Sequence, residues 1–163
     1  MARDLEEIEF LPSHPEGVTG AMVRLAAAGD GWINLMPGVD GDDIDEPSVQ
    51  TPLTALLGST QAPVTMCTWV PAKGGRRARD EVALGIMHPR GRFAISQLRE
   101  LGIALPEGWR VRQDHARRGL IVLVPRAVPN GIVLDWALRA GAALATVPLT
   151  GSWKARIFLP ASS

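Results

Sequence analysis

The sequence predicts an α+β domain in which a mixed, largely antiparallel sheet is covered on one face by about three helices. Short apolar runs of strand length alternate with segments whose apolar residues recur at helical spacing. Several strand-like runs follow one another with only short polar turns between them, as antiparallel hairpins do. Three segments also share the order strand, turn, helix, strand, which predicts crossover connections as well as hairpins.

These three segments predict a threefold internal β-α-β repeat, with copies at about residues 5–36, 81–115 and 119–159. Each copy has a Pro-x-Gly turn followed by a tryptophan: Pro15–Gly17 and Trp32, Pro89–Gly91 and Trp109, Pro129–Gly131 and Trp153. Proline biases the preceding residue away from helix, and glycine permits a tight turn, so the motif suits a strand that leads into a helix. Convergent use of turn residues is the alternative to a true repeat.

The first part of the chain predicts a strand, a helix that ends near Gly29, and a second strand that begins at Trp32. Residues 37–62 are rich in glycine and aspartate and are predicted to be an insert loop rather than a domain. Two strand-like runs, 63–71 and 81–88, then form a hairpin around a basic turn.

The second helix is indicated by apolar residues at helical spacing, from Phe93 to Ile103. Residues 109–115 and 119–125 form another hairpin, which leads into the third copy. The longest apolar stretch, 132–149, is interrupted by two charged residues, so it predicts a core helix and no membrane span. We expect one domain over residues 1–163, located in the cytoplasm.

The net charge of zero conceals a polarised chain. Residues 1–50 hold eleven acids and two bases, a net charge of −9, and residues 51–163 carry the compensating +9. Such asymmetry is typical of a surface for an anionic partner. The alternative is that the two parts neutralise each other within the fold, or that they meet between two copies in a homo-oligomer.

A basic sheet face is the favoured binding surface. Alternation along the strands that follow two of the tryptophans predicts that basic residues share one face, and the neighbouring loops add more cations. The predicted set is Lys73, Arg76, Arg77, Arg79, Arg90, Arg92, Arg110, Arg112, Arg117, Arg118, Lys154 and Arg156. The expected partner is a nucleic acid, through phosphate contacts, or an acidic protein. Exposed aromatic residues for base stacking are expected to be scarce.

A small enzyme or small-anion-binding protein is the alternative function. The turn from His88 to Arg92 is predicted to lead into a helix N-terminus, and the hairpin residues Asp114 and His115 are candidate acid–base groups. Neighbouring residues on a strand point to opposite faces, so these two side chains need not meet. No spacing indicates a metal site or a cofactor, so neither is predicted, and Cys67 is expected to be buried and inert.

Overall fold

The computed structural model describes residues 4–40, 64–73 and 80–161, which form one sheet and three helices. The strands are β1 (Leu5–Phe10), β2 (Trp32–Val39), β3 (Met66–Val70), β4 (Glu81–Met87), β5 (Arg110–His115), β6 (Gly119–Pro125) and β7 (Leu149–Phe158). The helices are α1 (Glu16–Ala28), α2 (Ala94–Glu100) and α3 (Asn130–Leu144). The α+β class is therefore confirmed.

The strand order is β1-β7-β2-β3-β4-β6-β5, and every neighbouring pair is antiparallel. The prediction of a mixed sheet was wrong in this respect. Each helical crossover does join two parallel strands, but other strands lie between them. β7 separates β1 from β2, β6 separates β4 from β5, and three strands separate β6 from β7. Parallel strands are therefore never hydrogen-bonded neighbours.

The threefold repeat stays a prediction, because its landmarks occupy unlike positions. Trp109 and Trp153 are buried, whereas Trp32 stacks on Phe158 with ring centroids 4.7 Å apart. Trp32 begins β2, but Trp153 lies within β7. The predicted insert also begins later than expected, because β2 continues to Val39. Residues 41–62 of the insert lie outside the described residues, as does residue 63, the first of the predicted strand run.

The core lies between the helices and one face of the sheet. Helices α1 and α3 pack on the alternate residues of β2, β3 and β4 that point toward them, such as Leu35, Trp69 and Leu84. Helix α2 packs beside α3. The predicted layer of about three helices on one sheet face is what the described residues show. Among them, no helix is both long and apolar enough to cross a membrane.

Helix α3 approaches the sheet closely at Gly141. Thr65 donates its hydroxyl to the carbonyl of Gly141 at 2.7 Å, and the Cys67 thiol lies 3.5 Å from the carbonyl of Ala137. Burial raises the pKa of Cys67 to about 12, so the thiolate that would react is scarce. The expectation of a buried cysteine is confirmed.

Substituting Gly141 with alanine should therefore destabilise the fold. A Cβ atom there would lie 2.9 Å from Cys67 Sγ and 3.1 Å from the ring of Trp153, so packed side chains must shift. We expect a loss of about 1–3 kcal/mol in the free energy of unfolding, measured by urea denaturation. Gly20→Ala in α1 is the control, because nothing lies within 4 Å of its Cβ position. It should stabilise by about 0.4–1 kcal/mol, and equal losses in both variants would contradict the packing argument.

Candidate functional site

Two cations of the predicted basic sheet face share a carboxylate within the molecule. Glu7 of β1 lies 3.3 Å from Lys154 Nζ and 3.2 Å from Arg156 Nε, both on β7. Because β1 pairs with β7 along its whole length, the acidic N-terminal part meets the basic C-terminal part there. These two cations do not form a free anion-binding surface.

Arg110 is also paired. Its guanidinium reaches across β6 to both carboxylate oxygens of Glu81, with a distance of 3.2 Å from Nε to Oε2. The hydrogen bonds and charge of this pair lower the pKa of Glu81 and raise the pKa of Arg110. Arg110 therefore belongs to an ion pair across the sheet, and is not a free cation on an open face.

A β-bulge separates Arg110 from Arg112. The register with β6 shifts between Val111 and Gln113, so Arg112 is the extra residue and regular alternation is interrupted. The prediction that both arginines lie on one face assumed unbroken alternation, which the bulge interrupts between them. Sequence offers no clear signal for this bulge.

The middle of the sheet face that points away from the helices is apolar rather than basic. Its side chains are half-buried and come from five strands: Trp32, Met36, Met66, Val70, Met87, Ile121, Leu123 and Phe158. One polar pair lies among them, in which Thr68 donates to the Asn34 side chain at 2.9 Å. Charged groups lie beside these side chains: Lys154 and Arg156 alternate along β7 with Phe158 on the same face, and Glu81 begins β4.

Four exposed arginines instead belong to β5 or to segments next to it: one lies in the strand, two lie in the hairpin that follows it, and one lies just before α2, whose start Asp114 of β5 contacts. We call this set the β5 basic edge: Arg92, Arg112, Arg117 and Arg118. Within the described ranges, none of the four has a carboxylate at salt-bridge distance. Lys73 is exposed after β3, and Arg76, Arg77 and Arg79 lie outside the described residues.

The hairpin between β5 and β6 is held in one conformation by its own side chains. His115 Nδ1 accepts the backbone N–H of Arg117 at 3.0 Å and of Arg118 at 3.2 Å. Gln113 donates to the carbonyl of Arg118 at 3.1 Å. These hydrogen bonds position the backbone of the hairpin, so the side chains of Arg117 and Arg118 extend from defined positions. His115 serves as a turn residue here.

Asp114 joins this hairpin to the start of α2. Its two carboxylate oxygens accept the N–H groups of Ala94 at 3.0 Å and Ile95 at 3.1 Å. The carboxylate therefore occupies the helix N-terminus that was predicted to hold an external anion. The same contact brings Arg92, which precedes α2, toward the hairpin. Asp114 is a structural cap between two elements.

His88 is buried, with 6% of its surface exposed, and lies at the end of β4. Its Nδ1 accepts the N–H of Arg90 at 3.2 Å, and its Nε2 has no hydrogen-bond partner. Burial lowers the pKa of His88, and the charge of Asp114 opposes this effect in part. The Arg90 guanidinium in turn donates a hydrogen bond to the carbonyl of Ala145 at 3.2 Å. The turn is therefore braced internally.

The candidate acid–base residues do not form one pocket. The register places Asp114 opposite buried Leu120 and His115 opposite Gly119, so the two side chains point to opposite faces of β5. His88 is buried and His115 is exposed. The three candidate residues therefore do not share one face, although Asp114 is close enough to His88 for its charge to affect the His88 pKa.

Phe93 is the site residue that sequence reasoning missed. Its apolar character predicted a buried helical position, but it precedes α2 and has 68% of its surface exposed. Its backbone is left-handed, with φ of 63° and ψ of 41°. The only hint in the sequence is its place two residues after the Pro-x-Gly turn.

Within the described part of the chain, no group of three or more His, Cys, Asp or Glu residues could hold a metal ion. Comparisons of the chain with protein-family models, curated proteins and solved structures gave no match. The argument for function therefore rests on the β5 basic edge itself.

Removing the Asp114 cap should destabilise the protein. Asp114→Ala leaves two N–H groups of α2 without their acceptor, and we expect a loss of about 1–2 kcal/mol in the free energy of unfolding. Asp135→Ala is the control, since the exposed Asp135 carboxylate pairs only with Arg139 on α3. Equal effects in denaturation experiments would argue against the capping role.

His88 should make the fold less stable in mild acid. Because its pKa is lowered in the folded state, the unfolded chain binds a proton more readily as pH falls through the ordinary value of 6.5. The free energy of unfolding should therefore decrease from about pH 7.5 to about pH 5.5. His88→Asn keeps an acceptor for the Arg90 N–H but cannot titrate, so its stability should change less over this range. An unchanged pH dependence would assign the effect to other groups.

Proposed function

We propose that this protein is a binding module whose β5 basic edge takes an acidic, extended segment of a partner protein. The observation that carries the proposal is the location of four exposed arginines that have no carboxylate partner among the described residues. They lie on and around a strand that has a sheet neighbour on one side only. An edge strand offers backbone donors and acceptors to an extended peptide, and side chains along it determine which peptide is accepted.

Charge complementarity supports an acidic partner. The other cations of the strands, Lys154, Arg156 and Arg110, each lie within salt-bridge distance of a carboxylate, whereas Arg112 of β5 has none among the described residues. Guanidinium groups bind carboxylates with two parallel hydrogen bonds, and such pairs favour the correct partner and speed its association. Val111, of which 42% is exposed, adds an apolar contact beside Arg112.

A protein partner is favoured over a nucleic acid by the aromatic residues. Single-stranded nucleic acids are bound on several stacking platforms along a basic groove. Among the described aromatic residues, only Phe93 is strongly exposed, and the rings of Trp32 and Phe158 stack on each other. Four arginines around one edge strand match a short acidic segment better than a long phosphate backbone.

A second copy of this chain is the other candidate partner. The opposite edge of the sheet is β1, whose extended sequence LEEIEF carries three glutamates, of which Glu6 and Glu7 also pair within the chain. β1 of one copy could lie beside β5 of the next, which would give a head-to-tail assembly. Such an assembly should dissociate at high salt in sedimentation experiments. A monomer at low salt and high protein concentration would reject it.

Binding can be tested with a labelled peptide of alternating glutamate and valine. Fluorescence anisotropy should show binding that weakens from about 50 mM to about 200 mM salt, because the contacts are ionic. The triple variant Arg112→Gln, Arg117→Gln, Arg118→Gln should lose roughly tenfold in affinity. The matched control is Arg99→Gln, Arg126→Gln, Arg139→Gln, which removes the same charge from exposed sites elsewhere.

Three outcomes would overturn the proposal. One is the absence of peptide binding at low salt. Another is an equal loss of affinity in the two triple variants, which would mean that only net charge matters. The third is that an oligouridine of matched length binds more tightly than the peptide, with the same dependence on the β5 basic edge. That result would assign the surface to nucleic acid.

A further inference from the structure

Phe93 breaks three local preferences at once. Its left-handed backbone, with φ of 63°, is sparsely populated by bulky side chains and is common for glycine and asparagine. It occupies the N-cap position of α2, where a short polar side chain would normally accept a backbone hydrogen bond, and it makes none. Its ring is 68% exposed. Asparagine adopts this left-handed backbone more readily than phenylalanine, and the cap itself is supplied by Asp114.

The surrounding contacts impose this conformation. Gln97 of α2 donates its side-chain amide to the carbonyls of Arg90 and Arg92, at 3.0 Å each. Asp114 holds the N–H groups of the next two residues. The backbone on both sides of Phe93 is therefore tied down, and the ring is presented to solvent by a braced loop.

Little within the chain compensates for this arrangement. A ring with two thirds of its surface exposed contributes little burial to the core. The preceding turn already has a left-handed glycine, Gly91, with φ of 75°. Strain that the rest of the structure maintains and that brings no packing benefit is typical of binding sites.

The position of Phe93 relates it to the β5 basic edge. Arg92 is its sequence neighbour, and Asp114 links the start of α2 to the strand end that leads to Arg117 and Arg118. An exposed aromatic ring with arginines nearby has the composition of an interaction hot spot, where these residue types are enriched. Carboxylates of a partner would meet the guanidinium groups, and the ring would meet an apolar side chain.

We infer that Phe93 is the apolar anchor of the β5 basic edge, so that the partner is an acidic extended segment with one large apolar side chain that packs on this ring. The inference rests on the proposed function and specifies it further. It predicts that an acidic segment with a leucine or another large apolar residue binds more tightly than one that is only acidic.

The test uses two labelled peptides, one of glutamate and serine with a central leucine, and one with serine in place of the leucine. The unsubstituted protein should bind the leucine peptide about tenfold more tightly, which corresponds to burial of one apolar side chain at about 1.4 kcal/mol. Phe93→Asn should abolish this preference. The control is Leu101→Asn, which removes another apolar side chain, 59% exposed, from the other end of α2. It should leave the preference intact.

A stability measurement distinguishes a binding role of Phe93 from a structural role. Phe93→Asn relieves the left-handed strain, so its thermal midpoint should rise while its affinity for the leucine peptide falls. A lower midpoint with unchanged affinity would show that Phe93 serves the fold, and the inference would be wrong. Arginine-dependent binding without any leucine preference would reject the anchor and leave the proposed function standing. If neither peptide binds, both are rejected.

Discussion

The packing of α3 across the middle of the sheet is the contact on which the other elements depend. The helix lies against β3 at Gly141 and touches both α1 and α2. Trp136 of α3 donates to the carbonyl of Ala104 at 3.0 Å and packs edge-on against Trp109, with ring centroids 5.4 Å apart. Because Trp109 directly precedes β5, this contact helps to place the edge strand. The position of the candidate site thus follows from the packing of the core.

The charges of the two edge strands also depend on which strand lies beside each of them. The two edge strands carry charges of opposite sign, since β1 is acidic and β5 is basic. The strands next to them differ in whether they supply counter-charges. β7 supplies cations that compensate β1, whereas β6 supplies no carboxylate to β5. Charged edge strands discourage uncontrolled pairing between sheets. The same property leaves β5 open to a partner of the opposite charge.

Departures from local preference concentrate in the connection between β4 and α2 and in the hairpin beside it. A buried histidine with an unpartnered nitrogen, a left-handed phenylalanine and a cap supplied by a distant carboxylate occur there within a few residues. Other described parts of the chain show fewer departures: Gly29 is a left-handed glycine that ends α1, although Trp69 Nε1 in β3 is also buried without a hydrogen-bond partner. This contrast is the physical reason to look for function at the β5 end of the sheet.

The sequence by itself determined the α+β class, the succession of strands and helices, and the burial of Cys67, because periodicity and turn residues are local properties. It could not show that every sheet neighbour is antiparallel, since strand order depends on where each crossover returns. The basic residues were found by composition, but their partners were not. Glu7 and Glu81 pair with three of them through contacts between distant segments, and a bulge interrupts the strand alternation at Arg112. Only the tertiary structure decided which cations remain free, because side-chain pairing is set by packing between elements.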